Sequence, residues 1–163
     1  MTDKQLKAQF SSATDNWETP QDLFDRYNSR YHFNLDAAAS EDNKKCDRFF
    51  SVADDGLSQD WSGCNVWMNP PYGREIGRWV QKAYEESQKP DTVVVCLLPA
   101  RVDTRWFHDY CSKGEITFLK GRLKFGQSKN SAPFPSMIVV FGKRIEDNPI
   151  RLIWEQMLKG DIT

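Results

Sequence analysis

The sequence predicts an α/β fold: three layers built around a mixed, mostly parallel sheet with an antiparallel edge. Three observations carry this. Strand-like runs alternate with helix-periodic ones through the first two thirds of the 163 residues. One run, Thr92 to Leu98 (TVVVCLL), is almost wholly apolar between Pro90 and Pro99, the pattern of a strand buried on both faces. From Ile116 to Phe141 several strand candidates then follow one another with no helix between them.

The elements follow in order. Thr19 suits an N-cap, Pro20 a first helical residue and Asp22 the first turn, giving a helix over 20–29. Phe33 to Asp36 is a short buried strand that delivers Asp36 to a sheet edge, before Ala37-Ala38-Ala39. Residues 41–62 are polar with few cues beyond a short strand near Arg48-Phe49-Phe50, and Val66 to Met68 is the next strand. Ile76, Trp79, Val80, Ala83 and Tyr84 fall at i, i+3, i+4, i+7 and i+8, a helix stripe. After the TVVVCLL strand, a helix is expected over 103–111 with Asp103 as N-cap. Ile116 to Leu119, Leu123 to Phe125 and Ser136 to Phe141 read as strands. Residues 150–158 close the chain as a helix burying Ile150, Ile153, Trp154, Met157 and Leu158. No repeat or Pro/Gly-rich linker divides the chain, so residues 16–163 read as one domain behind a flexible leader, 1–15.

Composition excludes several classes. With 39 % hydrophobic and 28 % charged residues the chain is not disordered. No run approaches the roughly 20 apolar residues of a membrane span, and the first residues lack the apolar segment of a signal peptide. A cytoplasmic protein with no membrane partner is expected. Cys46, Cys64, Cys96 and Cys111 show no C-x-x-C spacing, and His32 and His108 are far apart, so no metal site is expected and the thiols read as reduced. Residues 1–72 carry a net charge of −5 and residues 73–163 one of +4, which permits a basic face in the second half.

Asn69-Pro70-Pro71-Tyr72 stops the Val66–Met68 strand abruptly. Neither proline fits a helix interior or a central strand. Ligands of open α/β sheets bind beyond the carboxyl ends of the strands, where this turn falls. There the Asn69 side-chain carbonyl and the Pro70 backbone carbonyl are two acceptors suited to one –NH₂ group, and Tyr72 offers a flat face for a ring. The turn is thus a receptor for an exocyclic amine on a flat ring or for a side-chain amide. Accepting both hydrogens draws the nitrogen toward sp³ and frees its lone pair without a strong base.

Asn69-Pro70-Pro71-Tyr72 resembles the (Asp/Asn/Ser)-Pro-Pro-(Tyr/Phe) motif of S-adenosylmethionine-dependent amino methyltransferases. Trp17-x-Thr19-Pro20, Leu35-Asp36-Ala37-Ala38-Ala39, Asp55-Gly56-Leu57, Trp61, Leu98-Pro99-Ala100-Arg101-Val102-Asp103-Thr104 and Gly121-Arg122-Leu123-x-Phe125 extend the likeness. Together they resemble, over about residues 16–143, the small phage-type DNA N6-adenine methyltransferases (Dam-like). The resemblance implies a Rossmann-like methyltransferase fold, with S-adenosylmethionine as cofactor and double-stranded DNA as partner. It also implies transfer to adenine N6 with the base flipped into the Asn-Pro-Pro-Tyr pocket, in the host cytoplasm if phage-encoded, with protection from host restriction as one purpose. Asn69, Pro70 and Tyr72 would be catalytic; Trp17, Thr19, Pro20, Asp36, Ala37, Asp55 and Asn69 would hold the cofactor, Asp36 beside the methionine ammonium. The weaker alternative for Asp36 is a helix or turn cap, and Asp54 is an equal rival to Asp55. One departure is that Ala37-Ala38-Ala39 stands where the wider superfamily has a Gly-rich loop. Methylation of RNA or of a glutamine side chain, or a non-catalytic nucleic-acid-binding module, are the alternatives.

For DNA the candidates are Arg74 and Arg78, spaced with Lys82 along one helix face, and Arg101 and Arg105 past the TVVVCLL strand. Lys120, Arg122 and Lys124 alternate along the expected strand, sharing a face opposite Leu123 and Phe125. Phe125 either stacks on the flipped base with Tyr72 or packs in the core. With no room for a recognition domain, sequence choice falls to loops such as 126–135, which implies a short or relaxed recognition site. The oligomeric state stays open between monomer and weak dimer.

Overall fold

The computed structural model describes residues 16–142. The leader 1–15 and the helix expected over 150–158 lie outside the described residues. Five strands form one sheet: β1 (Leu35–Asp36), β2 (Asn65–Met68), β3 (Val93–Pro99), β4 (Glu115–Phe118) and β5 (Ser136–Phe141), in the order β1-β2-β3-β5-β4. β1, β2 and β3 are parallel, with Val66 level with both Leu35 and Val94. β5 is antiparallel to both β3 and β4, so the sheet is mixed with an antiparallel edge, as the sequence predicts. Every residue of β3 and β5 is buried, which their near-continuous apolar runs require.

Three helices accompany the sheet: α1 (Gln21–Tyr31), α2 (Ile76–Ser87) and α3 (Arg105–Asp109). α1 buries Leu23, Phe24 and Tyr31, and α2 buries Ile76, Val80 and Ala83, with Trp79 and Tyr84 packed partly against the core. Two expected caps are displaced by one residue. Pro20, extended at ψ 130°, is the N-cap of α1, and Thr19 does not cap it because its hydroxyl is engaged by Trp67 and Asn69. α3 is capped by Thr104, whose hydroxyl accepts from the Phe107 N–H at 3.3 Å, and not by Asp103.

Two strand expectations are corrected. Near residue 49 there is a single parallel bridge, Asp36 to Phe49, held by Asp36 N–H to Arg48 O and Phe50 N–H to Asp36 O, both 3.0 Å. Leu123–Phe125 is not a strand. The chain there turns through left-handed glycines at Gly121 and Gly126 (φ 75° and 56°), and its backbone bonds go elsewhere, Gly126 N–H to Glu18 O and Ala132 N–H to Leu123 O. The alternation argument for Lys120, Arg122 and Lys124 therefore fails, although all three are exposed. Because β4 runs with β3, the connection over 119–135 lies on the edge where β1, β2 and β3 end.

Candidate active site

Asn69 follows β2 directly, so the sheet carries it to the edge where β1 and β3 also end. Its amide is locked from one side. Asn69 Nδ2 donates to the Trp17 carbonyl and, at 3.0 Å, to Thr19 Oγ1. A backbone carbonyl can only accept, which fixes the nitrogen toward Trp17. Thr19 Oγ1 also accepts from Trp67 Nε1 at 3.2 Å, and an indole N–H can only donate. Asn69 Oδ1 is then left buried with no hydrogen-bond partner among the described residues. An unpaired buried carbonyl costs about 1–3 kcal/mol, which a ligand N–H would relieve. Pro70 is buried too, and its carbonyl accepts no hydrogen bond among the described residues. Two unused acceptors on consecutive residues suit the two hydrogens of an amine.

A cleft of about 600 Å³ opens beside them, lined by Trp17, Thr19, Asp36, Asp55, Asn69 and Pro70. Pro20 and Ala37 do not line it. Pro20 caps α1, and Ala37 is fully buried with its N–H on Trp67 O; Ala38 and Ala39 form the wall instead. Between the rival acids, only Asp55 reaches the cleft, since the Asp54 carboxylate is engaged by the N–H and hydroxyl of Ser51. Phe50, Gly56 and Trp79 also line the cleft, and none of the three is among the site candidates of the sequence. Gly56 was recoverable: a Cβ there would stand 2.4 Å from Ala37 O, so only glycine allows this close approach.

Asp36 accepts from the N–H groups of Lys45 (3.0 Å) and Ala38 (3.3 Å), so it does cap a turn. It is also 3 % exposed and on the cleft wall, and burial pushes its carboxyl up to about 6 despite those two bonds and the Lys45 charge. An opposite charge beside a buried carboxylate offsets its desolvation cost and favours the ionised form.

The sequence profile described as DNA N-6-adenine-methyltransferase (Dam) matches residues 7–157. The chain belongs to the Dam family. Among its relatives is the DNA N-6-adenine-methyltransferase of Haemophilus phage HP1, 33 % identical over 141 residues, 80 % of each chain. Another is the DNA N-6-adenine-methyltransferase of Escherichia phage T1, 42 % identical over 96 residues. That second match takes in 57 % of this chain and only 39 % of the T1 protein. The family is named for methylation of adenine N6 in DNA, which implies a methyl donor and a DNA substrate.

In this Dam-family chain Tyr72 does not stand free at the turn. It is 4 % exposed, its hydroxyl donates to Leu97 O at 3.0 Å, and its ring meets the edges of Phe125 (6.2 Å) and Phe134 (5.7 Å). Burial raises its phenol pKa well above the ordinary value. Trp17 joins the same cluster, 5.3 Å from Phe125 and 5.1 Å from Phe134. Phe125 is buried with them, which is core packing.

The basic residues divide. Arg78 pairs with Glu75 at 2.6 Å, and Lys82 pairs with Glu86 and lies over the Trp61 ring, so the expected cationic face of α2 is largely neutralised. Arg74 lines the cleft mouth. Arg101, Arg105, Lys120, Arg122 and Lys124 are exposed and have no ion-pair partner among the described residues. No group of three or more His, Cys, Asp or Glu that could hold a metal occurs among the described residues, and no helix there is long and apolar enough to cross a membrane.

Proposed function

We propose that this chain carries out the reaction for which its family is named, methyl transfer to N6 of adenine in DNA, with S-adenosylmethionine as donor bound in the Asp36 cleft. The observation that carries the reading is the buried, unpaired Asn69 Oδ1 beside the unused Pro70 carbonyl. Bound there, S-adenosylmethionine supplies an electrophilic methyl group on a sulfonium. Asp36 would hold the methionine ammonium, with Trp17, Thr19 and Asp55 also lining the cleft. Asn69 Oδ1 and Pro70 O accept the two N6 hydrogens of an adenine rotated out of the duplex. The nitrogen pyramidalises, and its lone pair turns toward the methyl group. S-adenosylmethionine would supply the methyl group that this lone pair takes up, and N6 would give up one proton to water. Arg101, Arg105, Lys120, Arg122 and Lys124 meet phosphates.

The test is methylation with labelled S-adenosylmethionine offered with duplex DNA, RNA or protein. Label on adenine N6 of DNA is expected. Label on RNA or on a glutamine side chain instead, or on nothing, would replace this reading. Asn69→Ala should keep cofactor affinity and lose on the order of 10²-fold in turnover, as when one preorganised electrostatic partner is removed.

A further inference from the structure

Three large hydrophobic side chains are exposed among the described residues: Val52, Val102 and Phe118. Val102 has the most deliberate mounting. It is the second residue of a turn over Arg101–Thr104, closed twice onto Arg101 O, by the Thr104 N–H (3.3 Å) and the Thr104 hydroxyl (2.7 Å). Arg101 N–H is itself tied to Pro99 O at 2.8 Å, so the turn is anchored to the end of β3. Such turn positions ordinarily carry proline or small polar residues; an exposed valine gains nothing there from folding. Its branched Cβ also makes it stiff, so little side-chain entropy is lost when it inserts.

The surroundings indicate what it meets. Met68, the last residue of β2, is level with Cys96 in the parallel β2–β3 pair, so β3 runs on past the end of β2 to Pro99, and the turn stands on the sheet edge that carries Asn69. Tyr72 donates to Leu97 O, and the Arg101 charge acts on that same hydroxyl. Exposed Arg101 and Arg105 flank Val102. An apolar tip between two free guanidinium groups matches a base stack bordered by phosphates.

We propose that Val102 is an apolar wedge that enters the stack of duplex DNA where the target adenine has rotated out, while Arg101 and Arg105 grip the adjoining phosphates. This rests on the DNA methyltransferase reading. Apolar wedges between base steps are a general device for offsetting the cost of unstacking. The wedge matters only when the adenine has a partner to leave.

The test uses the full chain and its own target, located by sequencing plasmid DNA that the chain has methylated. Two duplexes are compared in single turnover, one with thymine opposite the target adenine and one with an abasic site there. Val102→Ala should be about tenfold slower than wild type on the paired duplex and within about twofold on the abasic one, where extraction is already cheap. Val102→Leu, which keeps an apolar tip, should restore the paired rate. An equal loss on both duplexes, or no loss on the paired one, overturns the wedge and leaves the methyltransferase reading standing. No methylation of any DNA by the wild-type chain overturns both.

Discussion

A 3.0 Å hydrogen bond from Asn69 Nδ2 to Thr19 Oγ1 reinforces the orientation that the Trp17 carbonyl imposes on the Asn69 amide. The same hydroxyl satisfies the buried Trp67 indole, so one oxygen serves both the core and the site.

Thr19→Val keeps the shape and removes the acceptor. It should leave the amide held by the Trp17 carbonyl alone and lower turnover by about tenfold, the scale of a small misplacement at the reacting centre. Leaving the Trp67 N–H unpaired should also cost about 1–3 kcal/mol of stability. Thr19→Ser should restore both. Single-turnover methylation and urea unfolding read the two effects separately, and unchanged turnover in Thr19→Val would show that Asn69 needs no such support.

Asp36 gives the binding reaction a pH dependence. Its folded pKa of about 6 lies above the ordinary 3.8, so the fold favours the protonated form. Its contribution to the free chain's stability is full below about pH 3.8 and is lost as pH rises through about 6, amounting to roughly 3 kcal/mol. A cationic ligand reverses the preference. S-adenosylmethionine affinity should therefore rise from pH 5 to pH 7 with a midpoint near 6. Calorimetry across that range should give a flat, weaker profile for Asp36→Asn; a parallel rise in the variant would assign the titration to another group.

Tyr72→Phe removes the hydroxyl from Leu97 O and keeps the ring. Stability should fall by about 0.5–1.5 kcal/mol, the net value of one hydrogen bond, with turnover nearly unchanged. A collapse of turnover without loss of stability would mean that the phenol takes part in the chemistry.

Much of the fold was legible because its signals are local. The TVVVCLL run, the Ile76–Tyr84 stripe and the SMIVVF run of β5 each declare burial by their own pattern. What the sequence hid depends on distant partners. Thr19 reads as a cap until Trp67 and Asn69 arrive from 48 and 50 residues away. Leu123-Lys124-Phe125 alternates like a strand, yet no neighbour offers a ladder to pair with, and Phe125 is buried by Trp17, Tyr72 and Phe134 instead. The acceptor role of Asn69 could be written down from the motif, but the lock that orients it could not. The basic stripe of α2 failed for a local reason: Glu75 at its N-cap and Glu86 within it take up Arg78 and Lys82.

The connection over 119–135 starts at the end of β4 and returns at the start of β5, both on the edge that carries Asn69. The hairpin sets only where its ends are, since Leu119 N–H is tied to Ser136 O, and leaves the length between them to vary. Exchanging that segment would present a new surface to the duplex while Asn69, Thr19 and Asp36 kept their places. On the proposed reading, target choice would then be an interchangeable part, altered at this connection without rebuilding the residues around Asn69.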